Sequence, residues 1–179
     1  EGIYGTAINV SSTLIVLFTI YGAFLQFSGA GKFFIDFSFS AMGGKPTSAG
    51  RTVTLAPFLL GGPSGSGVAT TVTIGAVAAP MLAKVGYSKE EAGGLLSAGG
   101  LGAIISPPVM GAAAFLIAEF LKISYLDVLL MAVIPTCLYY LTLFLMVEID
   151  VRKFGMRDVT FASVESAWTL ARRYWYHFL

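Results

Sequence analysis

Residues 59–75 read LLGGPSGSGVATTVTIG. Every position from Gly61 to Gly67 is Gly, Pro or Ser, residue types that interrupt helices and leave backbone groups without partners, yet apolar sequence flanks them on both sides. The surrounding composition is that of a membrane protein: 56% of residues are hydrophobic, 12% are charged and the mean hydropathy is +0.79, where an ordinary soluble domain carries about a quarter charged residues. In hydrocarbon an unsatisfied amide or carbonyl is expensive, so irregular backbone persists at that depth only where it is buried in protein or lines a wet cavity. The stretch therefore predicts a bend within the membrane, with one half-helix ending near Gly61 and a second starting near Ser66. The first turns its carbonyls, the negative dipole end, toward the bend, and the second points free amides at it.

The bend sits between RTVTLAPFLL and SGVATTVTIGAVAAPMLA. The first piece is about half of the roughly 20 residues that a crossing requires, so the two together predict a re-entrant helical hairpin over residues 50–85. Val85-Gly86-Tyr87 ends it with a left-handed glycine cap, and Ser88 with Glu91 forms a capping box that starts the next helix. From Lys89 to Leu121 the chain is apolar but interrupted by GGLGAIISPPVMG, where Pro107 and Pro108 remove two amide donors; a single crossing broken near its middle is expected. Upstream, Ala7–Phe27 is uncharged and long enough to span, and residues 32–42 read as an aromatic-rich helix in the headgroup plane. Downstream, Tyr125–Val147 is a further span containing Pro135, and residues 151–179 read as an interfacial linker leading into another span.

Charge sidedness agrees with this layout. With one hairpin entering and leaving on the same side and one broken crossing, every Lys and Arg except Lys122 shares a face, which the positive-inside rule assigns to the cytoplasm. The net charge of +1, with no basic stripe, gives no support to a nucleic-acid partner. Cys137 is alone in an apolar run, which excludes a disulfide framework and reads as a packing residue. Glu119 and Asp127 lie close to the boundary at Lys122–Ser124, where pairing with Lys122 or solvation accounts for them. The chain begins with Glu1 and shows no leader before its first apolar run, the expectation for a piece of a longer protein.

Carbonyls and hydroxyls at the bend suit a hard cation, and the amides opposite suit a carboxylate. Ser64 and Ser66 offer oxygens and Gly65 permits the turn, while Gly67, Thr70 and Thr71 surround the first turn of the second half-helix and are the candidate substrate contacts. The competing explanation is glycines that let helices pack, with serines bonded to their own backbone. Other motifs fit less well. GGPSGSG lacks the Lys of a phosphate loop, and Lys84 and Ser88 stand where a potassium filter around Val85-Gly86-Tyr87 would need Thr and Gly. Gly62-Pro63-Ser64-Gly65 fits the Gly-x-Ser-Gly of an intramembrane serine protease, but its base would have to be His177, which lies in a basic aromatic anchor. A re-entrant-loop ion channel is the remaining alternative.

Three stretches carry a resemblance: residues 2–36, GIYGTAINVSSTLIVLFTIYGAFLQFSGAGKFFID; residues 61–94, GGPSGSGVATTVTIGAVAAPMLAKVGYSKEEAGG; and residues 102–121, GAIISPPVMGAAAFLIAEFL. They resemble the large membrane subunit of TRAP transporters, tripartite ATP-independent periplasmic carriers, especially the fused-subunit form paired with TAXI-type binding proteins. The resemblance runs from about Glu1 to Asp150. It implies an all-α membrane protein forming one repeat of an inverted-repeat, elevator-type transporter, which imports an organic anion with sodium as coupling ion and uses no other cofactor. It also implies a periplasmic binding protein and a small membrane subunit as partners, and the inner membrane of a bacterium or archaeon as the location. By position it puts sodium ligands at Ser64, Gly65 and Ser66 of the tip, and at Gly102, Ile105 and Pro107 of the break, mostly through backbone oxygens. Ile104 departs from the pattern, because many relatives carry Gln there.

Overall fold

The computed structural model describes residues 4–42, 47–107, 110–155 and 167–174 of the 179-residue chain. Every regular element among the described residues is helical. The first helical stretch comprises α1 (Thr6–Val10), a π-helical turn (Ser11–Ile15) and α2 (Val16–Phe27). The widened turn coincides with two hydroxyls, Ser12 and Thr13, that both donate to the Asn9 carbonyl, back-bonding that loosens the regular ladder. Then follow α3 (Ala30–Met42), α4 (Ser48–Ser64), α5 (Gly67–Val85), α6 (Lys89–Ile105), α7 (Ala113–Leu121), α8 (Tyr125–Phe154) and α9 (Ala167–Arg173). Thr6–Phe24, Gly67–Val85 and Tyr125–Phe154 are long and apolar enough to cross a membrane, which makes the chain a multi-pass α-helical membrane protein.

At the centre, α4, α5 and α6 pack as a three-helix unit whose directions follow from the contacts. Gly99 of α6 lies against Val53 and Pro57 of α4, and Ala103 against Gly61, so α4 and α6 run parallel. Gly67 of α5 lies against Gly100 and Ile104, whereas Thr71 reaches back to Leu96, so α5 and α6 run antiparallel. The α4–α5 pair is thus a hairpin, with its tip beside the C-terminal end of α6. Ile74, Leu82, Val53, Leu60 and Leu95 fill the space between the three helices.

Several boundaries differ from the sequence expectation. The first limb is not a ten-residue piece ending near Gly61: α4 has 17 residues and continues through Gly61, Gly62 and Pro63. What stops it is Gly65, whose left-handed backbone (φ +62°) closes the last turn with an N–H bond of 3.1 Å to the Gly61 carbonyl. Only Gly65 and Ser66 lie outside helix at the tip. In the broken segment Gly99 and Gly100 remain helical, and α6 ends at Ile105 because Pro107 forces the residue before it, Ser106, into extended backbone (φ −94°, ψ 128°). Helix α8 continues past Val147 to Phe154, 30 residues in all. Helix α3 buries Phe33 and Phe34 in the core beside the hairpin, and α9 lies on it through Leu170 and a Tyr174–Phe33 ring contact. Cys137 is exposed on α8 instead of packed within the described residues.

The caps follow the sequence closely. Gly86 (φ +116°) ends α5, with the Tyr87 amide bonded to the Leu82 carbonyl at 3.1 Å, and Ser88 with Glu91 starts α6 by a reciprocal capping box. Ser124 and Asp127 form a second box at the start of α8, and Lys122 pairs with Glu119. Between α5 and α6 the Tyr87 ring is buried; burial, and then the Asp150 and Glu91 carboxylates, push its phenol up to about 12, so it stays neutral.

The base of the hairpin is fixed to the far end of α8. Gly50 lies against Val147, and the Arg51 guanidinium pairs with Glu148 at 2.6 Å. Both partners are partly exposed, so the pair contributes about 0.2–1 kcal/mol, less in high salt. Glu148→Arg is expected to lower the melting temperature of the full-length protein, and Arg51→Glu in the same molecule to recover part of the loss. Additive losses in the double variant would show that the pair contributes nothing.

Candidate functional site

The tip and the break meet. A side chain added at Gly67 would lie 2.7 Å from the Gly100 carbonyl oxygen and from Ile104, and one added at Gly61 would overlap Ala103. Glycine at these points lets the helix ends flanking the tip approach the last turns of α6 at backbone distance. The chain closes the break by a bond of 2.9 Å from the Gly111 amide to the Ile104 carbonyl.

On the hairpin side, Ser66 is the N-cap of α5: its hydroxyl accepts from the Ala69 amide at 3.2 Å. Its carbonyl accepts from the Thr70 amide at 3.0 Å and the Thr70 hydroxyl at 2.9 Å. Thr70 is buried against Gly61 under the tip. Thr71 is turned the other way, its hydroxyl donating to Gly67 O at 2.8 Å and reaching Leu96 O on α6 at 3.5 Å. Of the three residues assigned to substrate, Gly67 and Thr70 therefore stand at the tip, whereas Thr71 belongs to the α5–α6 seam. Ser64 is the last residue of α4; its side chain lies outside the described residues, as do Pro108 and His177.

On the α6 side the carbonyls have different fates. Gly102 O accepts from the Ser106 hydroxyl, and Ile105 O from the Thr136 hydroxyl of α8 at 2.9 Å. The Ala103 carbonyl would accept from residue 107 in a continuing helix, but Pro107 has no amide proton. Among the described residues none donates to the Ala103 carbonyl, although Ala103 is fully buried. A buried carbonyl without a donor is the kind of group a bound cation satisfies. Among the described residues no three His, Cys, Asp or Glu side chains converge, so a cation here would be met by backbone and hydroxyl oxygens. Pro107 also lines an apolar groove of about 370 Å³, together with Phe58, Cys137 and Tyr140 among others.

Sequence reading missed Ala103, Thr136 and Tyr139, whose hydroxyl donates to Ala98 O at 2.8 Å. The proline pair was a usable signal for Ala103, because the amide that Pro107 lacks would have donated to the carbonyl four positions earlier. Nothing local marks Thr136 or Tyr139.

A hairpin whose tip abuts a proline-broken helix, with three membrane-length helices among the described residues, defines a membrane protein that keeps polar backbone inside its bundle. The chain belongs to the family described as the tripartite ATP-independent periplasmic transporter, DctM component, which matches residues 2–179. It is 31% identical over 118 residues to the 2,3-diketo-L-gulonate TRAP transporter large permease protein YiaN of Escherichia coli K12, covering 66% of this chain and 28% of the relative. It is also 32% identical over 94 residues to the C4-dicarboxylate TRAP transporter large permease protein DctM of Rhodobacter capsulatus, covering 52% of this chain and 21% of the relative. The chain thus spans about a quarter of the length of the curated relatives it matches. Membership assigns it to a transport protein and not to an enzyme, which removes the serine-protease reading.

Proposed function

We propose that this chain supplies one half of a sodium-coupled carrier for an organic carboxylate, with the ion and the substrate meeting between the hairpin tip and the broken helix. The observation that carries this reading is the close approach of Gly67 and Gly61, on either side of the tip, to the carbonyl end of α6, where the Ala103 carbonyl is buried. Carbonyls there favour the cation, and the amide end of α5, with Gly67 and Thr70, favours the carboxylate. The two named relatives act on a keto acid anion and on dicarboxylates, which fits a carboxylate cargo. The level of the site supports a re-entrant hairpin: Thr136, which bonds the end of α6, is midway along the apolar stretch 125–147, whereas the hairpin base pairs with Glu148 at its edge. Discontinuous helices meeting near the bilayer midplane are the arrangement secondary transporters use for such sites. A periplasmic binding protein would deliver the substrate, a small membrane subunit would complete the carrier, and an elevator displacement of the hairpin unit would move the cargo across a cytoplasmic membrane of a bacterium or archaeon.

The test is uptake by the full-length carrier in proteoliposomes, with its binding protein, under an inward sodium or potassium gradient. Saturable uptake driven by sodium alone is expected; a non-saturating ohmic current would favour the channel reading instead. Ser66→Ala removes the cap of α5, an effect of about 0.5–2 kcal/mol. It is expected to weaken sodium-dependent uptake several-fold without blocking membrane insertion, and Ser66→Asp or Ser66→Asn to retain the cap. Unchanged sodium dependence in Ser66→Ala would falsify the role given to the tip.

A further inference from the structure

We propose that Thr136 of α8 is a positioning residue for the cation: its hydroxyl holds the last carbonyl of α6 so that the broken end stays open toward the hairpin tip. This rests on the reading of the tip and break as a sodium site. The side chain is buried, 6% exposed, and its hydroxyl donates to Ile105 O at 2.9 Å across two helices far apart in sequence. It completes a set. Ser106 takes Gly102 O, the Gly111 amide takes Ile104 O and Thr136 takes Ile105 O. Among the carbonyls of residues 102–105, the Ala103 carbonyl is left without a donor among the described residues.

The arrangement has a directional consequence. Carbonyls at a helix C-terminus are free to tilt once their amide partners are gone, and a tilted carbonyl coordinates an ion poorly. Bonds to its neighbours on both sides keep the terminal turn helical up to Ile105, which fixes the direction of the Ala103 carbonyl between them. Thr136 is the member of the set contributed by another helix, so it also ties the geometry of the break to α8. Pro135, directly before it, frees the carbonyl of Met131 from its normal donor and lets α8 adjust locally around this contact.

The experiment is a thermal melt of the purified full-length permease in sodium chloride titrated against choline chloride at constant ionic strength. The wild type is expected to melt at rising temperature with a saturable sodium midpoint. Thr136→Val keeps the shape and removes the donor; its sodium midpoint should rise about three- to tenfold, the equivalent of one ordinary hydrogen bond. Thr136→Ser should restore the wild-type midpoint. A purely structural role would lower the melting temperature equally in both salts with the midpoint unchanged, and that result overturns the proposal. If Thr136→Val does not fold, Thr136→Ala gives the same reading. A wild type that shows no sodium-specific shift fails earlier and removes the sodium site itself, a result distinct from a normal wild type with an unmoved variant.

Discussion

Gly100→Ala is expected to destabilise the full-length protein by about 1–3 kcal/mol and to abolish most of its uptake. A methyl group at this position would overlap the Thr71 hydroxyl and lie 2.7 Å from the Gly67 carbonyl oxygen. The hydroxyl can rotate away, but at the cost of its bond to Gly67 O; the backbone carbonyl cannot move without shifting the start of α5. Two residues of the same helix provide the control. Gly93 and Gly94 have open space where a side chain would go, so Gly93→Ala and Gly94→Ala should leave stability unchanged or raise it by up to about 1 kcal/mol through helix propensity. Melting of the three variants side by side decides the matter. Equal effects at positions 93, 94 and 100 would mean that the α5–α6 seam is not as close as described.

Gly61→Ala should act on the other seam with a different signature. Its methyl would overlap that of Ala103 and come within 3.2 Å of the Thr70 side chain, all in the buried region under the tip. An alanine has no rotamer through which to yield, so the end of α4 must move off α6, and the tip with it. Uptake is expected to fall at least tenfold, a loss corresponding to about 1.4 kcal/mol in a free energy that the site geometry controls. Ala103→Gly removes the obstructing methyl, so the double variant should regain a large part of the uptake. The double-mutant cycle measures the contact directly, and a coupling near zero would show that positions 61 and 103 do not touch.

Local chemistry was legible in the sequence, and contacts between distant segments were not. The Ser88–Glu91 box, the left-handed Gly86 and the Pro107 break each depend on a few neighbouring residues, and all stand where local rules put them. The bend at the hairpin is legible as well, but its extent is not, because Gly61 and Gly62 are helix breakers by local rules. In α4 glycine serves close packing instead, and tertiary contact with Ala103 outweighs its low helix propensity. Phe33 and Phe34 are buried because α4 and α9 supply a face that composition cannot reveal. Half of the candidate site, the tip with Gly65, Ser66, Gly67 and Thr70, is proposed from its own residues. The other half depends on which donors reach the end of α6, and two of those, Ser106 and Gly111, are near in sequence whereas Thr136 comes from α8, beyond α7.

The capped corner at Val85–Ser88 has a mechanical meaning. Its amides and carbonyls are tied by the Gly86 and Tyr87 bonds on one side and the Ser88 box on the other, which leaves no slack between α5 and α6. The two helices therefore work like the arms of a pair of tweezers joined at one end. The gap between their open ends, where Gly67 faces Gly100, is set by the stiffness of a joint that lies a whole helix length away from it.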